Sequence, residues 1–140
     1  LGAPVGSMLI GSREDIAKGT RLRKVMGGTM RQAGYLAAAG LYALENNIQR
    51  LEEDHKNASR IASALEGKKW VSEIYPVETN IIIFRVDQSV SSGKIVSLLN
   101  DHDIIVLDIG NNFIRMVSHL DISAKMTEKV AGVIKRIKPY

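Results

Sequence analysis

The sequence predicts an α/β fold in which a long linking helix leads into a small, mostly antiparallel sheet with helices on one face. Three observations predict it. Leu41, Leu44, Ile48, Leu51, His55, Ala58, Ala62 and Leu65 recur at alternating spacings of three and four, the helical period. After Gly67 the pattern changes to short apolar runs bounded by Pro76, Thr79-Asn80 and Gly110-Asn111-Asn112, which are strand and turn signals. Helical runs follow each pair of strands, and the resulting order ββαββα packs as one sheet with its helices on a single side.

Taken in order, Val5–Ile10 is a short apolar strand candidate ended by Gly11. Ser12 caps a short helix over Arg13–Lys18, with Glu14 and Asp15 in the first turn. Gly27-Gly28 forms a turn, and the long helix runs from about Met30 to Leu65, stopped by Gly67. Ala37, Ala38, Ala39 and Gly40 let another backbone approach closely, and polar content rises after Glu45. Residues 1–44 are therefore assigned to the end of a larger domain and 45–140 to a small α/β domain. In the latter, Trp70–Tyr75, Ile81–Val86, Ile104–Leu107 and Phe113–Val117 read as strands. Ile95, Val96, Leu98 and Leu99 mark a short helix between the pairs. Asp121 or Ser123 caps a last helix whose Met126, Val130, Val133 and Ile137 face inward, with Pro139 as its stop.

Composition narrows the function. The chain has 140 residues, 45% hydrophobic and 24% charged, which suffices for one ordinary globular core. It has no cysteine, which removes disulfides and thiolate metal sites and suits a reducing, cytoplasmic setting. The longest weakly polar run, Ala33–Leu44, is shorter than the roughly 20 residues a membrane helix needs, and no secretion signal is present. A net charge of +4 with 5% aromatics and no base-stacking motif speaks against nucleic-acid binding.

Two places carry candidate chemistry. Lys18, Arg21, Arg23, Lys24 and Arg31 flank the Gly27-Gly28 turn with no acid between positions 18 and 31. With a helix starting just after the turn, its free N–H groups and dipole favour an anion such as phosphate. The alternative is a solvated basic loop. Arg115 alternates with Phe113 and Val117, so the three share one strand face. An arginine among apolar neighbours finds an anion or reaches water, and its planar fork suits a carboxylate. The alternative is an ion pair with a local acid. His55 and His119 read as structural, and His102, between Asp101 and Asp103, reads as a solvated turn because adjacent side chains do not converge on one metal. Ser7 lies outside any nucleophile elbow.

Leu1-Gly2-Ala3-Pro4-Val5-Gly6-Ser7, the run Arg21–Gly28 and the run Met30–Leu44 together resemble the low-specificity threonine aldolases, which depend on pyridoxal 5'-phosphate (PLP) and are related to β-eliminating lyases. Glu52–His55, Glu78-Thr79-Asn80 and Ile114–Asp121 continue the likeness over essentially the whole chain. One position departs: Thr29 stands where the family usually has a third glycine. The resemblance implies the C-terminal part of an aminotransferase-like PLP fold, with the Schiff-base lysine upstream, two residues before Leu1, and no catalytic residue within the chain. It implies that Arg115 grips the substrate α-carboxylate. It implies that Arg31 and Lys24 approach the cofactor phosphate of a neighbouring subunit in a homodimer or homotetramer. The implied reaction is cleavage of threonine or allo-threonine to glycine and an aldehyde, in amino-acid metabolism and glycine biosynthesis, with no nucleic acid, membrane or metal involved. A PLP-dependent β-eliminating lyase and a non-enzymatic amino-acid-binding α/β module are the alternatives.

Overall fold

The computed structural model describes residues 1–140 and divides into two compact units, Leu1–Ile48 and Gln49–Tyr140. The first unit holds α1 (Arg13–Val25) and α2 (Gly34–Asn46). Ser12 caps α1: its Oγ accepts from the Asp15 N–H at 3.1 Å. Acids in the first turn and Arg23 and Lys24 in the last complement the helix dipole. The helix runs past Lys18 because Gly19 is tolerated and the Thr20 hydroxyl donates back to the Ile16 carbonyl at 2.8 Å. Gly27, at φ 76°, ends it, and the Gly28 N–H donates to the Arg23 carbonyl at 2.8 Å. The Gly-Gly pair is thus the C-terminal closure of α1 rather than the doorway of the next helix, which begins only at Gly34. Val5–Ile10, expected as a strand, is not one; Val5, Met8, Leu9 and Ile10 are exposed and pair with no other strand.

The expected single helix from Met30 to Leu65 is instead two helices. α2 ends at Asn46, whose side-chain amide donates to the Tyr42 carbonyl at 2.9 Å, and the Asn47 amide donates to the Leu1 carbonyl at 2.6 Å. Asparagine competes for backbone groups in this way and is a poor helix former. The continuous seam therefore does not exist, and Leu41, Leu44, Ile48 and His55 are exposed.

In the second unit α3 (Leu51–Leu65) buries Ala58, Ile61, Ala62, Ala64 and Leu65. It is followed by β1 (Val71–Ile74), β2 (Ile81–Val86), α4 (Ser92–Asn100), β3 (Leu107–Gly110), β4 (Phe113–Val117) and α5 (Ala124–Arg136). The four strands pair antiparallel in the order β1-β2-β4-β3. Ile82, Phe84, Val86, Ile114 and Met116 alternate inward and pack with buried residues of α3, α4 and α5. Trp70 is buried with its ring edge-on to Phe84 at 6.1 Å between centroids, and no protein group accepts from its indole N–H. Three details differ from expectation. The ladder of β3 starts at Leu107 rather than Ile104, because Ile104 turns into the core. Met126 is exposed, and Thr127, Val133 and Ile134 form the buried side of α5. α5 ends at Arg136, before Pro139. Ser123 is the cap, accepting from the Met126 N–H at 3.2 Å.

Candidate functional site

The face of the sheet turned away from its core is where the second unit carries candidate binding chemistry. Register defines two rows across it. In one, Glu73 faces Arg85 and Arg85 faces Phe113. In the other, Ile83 faces Arg115 and Arg115 faces Leu107. Directly opposed residues of an antiparallel pair lie on the same face, with Cβ atoms roughly 5 Å apart. Arg115 shares its face with Phe113 and Val117, as the alternation predicts, while Ile114 and Met116 point inward.

The two arginines of this face differ in their surroundings. Arg85 is engaged: its Nε lies 3.8 Å from a Glu73 carboxylate oxygen and its guanidinium sits 4.4 Å above the Phe113 ring. The Tyr75 ring also packs on Phe113, tilted, at 5.5 Å between centroids. Arg115 makes no ion pair in this chain, and its cross-strand neighbours are both aliphatic. Asp108, next to Leu107 in sequence, is turned towards α4. Its carboxylate accepts from the Ser92 hydroxyl at 2.6 Å and from the Gly110 N–H at 2.9 Å. The Ser92 hydrogen bond, and then that of Gly110, hold the Asp108 carboxyl below the usual aspartate range. The local-acid alternative for Arg115 is therefore not what the structure contains.

Lys24 and Arg31 belong to the first unit. Lys24 lies in the last turn of α1, and Arg31 lies in the turn that precedes α2. Both are exposed and neither is paired with a carboxylate, so their donors are free for an anion such as phosphate. The helix-start argument attaches to neither: Lys24 is at the negative end of α1, and Arg31 stands outside the first turn of α2.

The histidines are peripheral. His119 is exposed, with Nδ1 accepting from the Asp121 N–H at 3.3 Å, and His55 and His102 are also exposed. Asp103, beside His102, is 3.4 Å from Lys129. No three His, Asp or Glu side chains converge on a common point. Residues that the sequence reading passed over are Arg85, Asp108 and Ser92, which with Gln88, Asn111 and Asn112 line a shallow cleft of about 630 Å³ at the β3–β4 hairpin. Their only sequence signal was the turn itself, since the contacts that join them depend on register.

Residues 1–89 match the model of a protein family described as beta-eliminating lyase. The low specificity L-threonine aldolase of Escherichia coli strain K12 is 41% identical over 134 residues, covering 94% of this chain and 38% of that protein. The probable low-specificity L-threonine aldolase 2 of Arabidopsis thaliana is 38% identical over 140 residues, covering 98% of this chain and 39% of that protein. Among solved structures, the histidinol-phosphate aminotransferase from Clostridium acetobutylicum aligns over 75% of this chain and 29% of its own, with a TM-score of 0.47 and 15% identity. The chain thus spans less than two fifths of the length of these curated relatives.

Proposed function

The chain belongs to the beta-eliminating lyase family, and from that membership we propose that it is the C-terminal part of a PLP-dependent aldolase cleaving threonine or allo-threonine to glycine and an aldehyde. The observation that carries the proposal is Arg115: an unpaired guanidinium on the open sheet face, with aliphatic cross-strand neighbours, in a chain that resembles proteins named threonine aldolases. Its fork donates to both oxygens of an α-carboxylate and fixes the orientation of the amino acid behind it. Lys24 and Arg31 would approach the cofactor phosphate of a neighbouring subunit, and their free donors suit that group. When bound, PLP supplies the electron sink for the pair released as the Cα–Cβ bond breaks. The Schiff-base lysine is proposed to lie upstream of Leu1 in the whole protein.

The test is Arg115→Lys in the whole protein. Lysine keeps the charge and loses the fork, so KM for threonine rises strongly and kcat falls less. A charge-assisted hydrogen bond contributes about 1.5–3 kcal/mol, which corresponds to about ten- to more than a hundredfold in kcat/KM. Binding of an amine analogue without a carboxylate stays nearly unchanged. Equal losses for threonine and for the analogue make Arg115 a structural residue and overturn the assignment. The description of the matched family favours a second reading, a β-eliminating lyase. Assaying β-elimination substrates beside threonine separates the two.

A further inference from the structure

We propose that Leu107 is a positioning residue for Arg115, keeping its guanidinium unpaired for an incoming carboxylate; the inference rests on the carboxylate reading of Arg115 given above. Leu107 stands directly opposite Arg115 on β3, and Ile83 stands opposite it on β2. Along β4 the same face carries Phe113 and Val117. Every nearest position on that face is therefore apolar.

The placement of the sheet's acids supports this. Glu73 is spent on Arg85, one row away, and Asp108 points to Ser92 on the core side. An acid at position 107 instead of 108 would face Arg115 across the ladder and close it off from any ligand. Opposite charges placed this way attract. A one-residue difference in a strand moves a side chain to the other face. The sequence Leu107-Asp108 thus places its carboxylate where it binds α4 and its isobutyl group where it borders the arginine. Leu107 is 50% exposed on the edge side of the pair, so it can be changed without opening the core.

The experiment measures glycine binding to the whole protein by equilibrium dialysis with labelled glycine, a readout independent of turnover. Leu107→Glu is compared with wild type, with Arg115→Lys, and with Ile105→Glu. Ile105→Glu adds the same charge just before β3, at a residue that is 89% exposed. Leu107→Asp repeats the measurement if the first variant does not fold.

Leu107→Glu is expected to raise the Kd for glycine by up to about fivefold, the upper range of an exposed ion pair that the ligand must displace. The increase shrinks at high salt, and Ile105→Glu leaves the Kd unchanged. If Arg115→Lys weakens binding and Leu107→Glu does not, the positioning role is wrong while the carboxylate reading stands. Equal effects of Leu107→Glu and Ile105→Glu reduce the role to net charge and overturn it. If neither Arg115→Lys nor Leu107→Glu changes the Kd, the carboxylate reading fails and this proposal falls with it.

Discussion

Asn111 and Asn112 form the two-residue loop between paired Gly110 and Phe113, at φ values of 52° and 60°. Such hairpin loops need positive φ at both central residues, which asparagine tolerates and glycine prefers. The two asparagines are not equivalent. The Asn112 amide donates to the Val90 carbonyl at 3.2 Å, and its oxygen accepts from the Ser92 N–H at 3.2 Å, tying the hairpin to the start of α4. Asn112→Gly keeps the turn but loses both bonds, and is expected to destabilise by about 1–3 kcal/mol at roughly 1 kcal/mol each. Asn111→Gly, whose side chain is exposed, is expected to be neutral or slightly stabilising. Urea midpoints of the two variants check the contrast. The neighbouring Asp108 adds a pH dependence. Its carboxyl is held below its ordinary value in the folded chain, so its contribution is present at neutral pH and above the unfolded aspartate value of about 4. It is lost as pH falls through the folded value. Wild type is expected to exceed Asp108→Asn in urea midpoint at pH 7, with the gap closing on acidification below about pH 4.

At the scale of elements, period was the readable quantity and register was not. Ile81–Val86 and Phe113–Val117 form strands over the residues that their apolar patterns mark. Ser12 and Ser123 stand as caps because a hydroxyl before an amphipathic run has few other uses there. Ser123→Ala should therefore destabilise by about 1 kcal/mol, read as a lower urea midpoint with unchanged slope. The break between α2 and α3 was hidden, because the spacing of apolar residues runs through Asn46-Asn47 without a glycine or proline to mark it. The run Ile104-Ile105-Val106-Leu107 shows too little alternation to say where the ladder begins. The side on which Arg115 emerges was legible from Phe113 and Val117. That Ile83 and Leu107 flank it was not, since pairing joins residues far apart in sequence.

At the scale of the whole molecule, the apolar core lies almost wholly in the second unit. The packed cluster spans Ala58 to Ile137, whereas the first unit buries a single residue, Ala43, and leaves Leu22, Val25, Tyr35 and Tyr42 exposed. A fragment covering 49–140 is expected to unfold cooperatively in urea, and a fragment covering 1–48 is expected to show no cooperative transition. Phe84→Ala in the larger fragment should destabilise it by about 3–5 kcal/mol, as truncation of a fully buried aromatic does. No helix of the chain is long and apolar enough to cross a membrane.

Trp70 is the one tryptophan of the chain, and its indole is 2% exposed against Phe84 in the second unit. This makes the molecule its own optical reporter. Excitation at the red edge, where tyrosine absorbs little, addresses a single chromophore whose emission shifts to longer wavelength only when the sheet and α3 come apart. Far-ultraviolet dichroism also sees α1 and α2, which the indole does not. Recorded on one sample along one urea gradient, the two signals coincide if both units unfold together and separate if Leu1–Ile48 melts first. The order of events is thereby readable without a label.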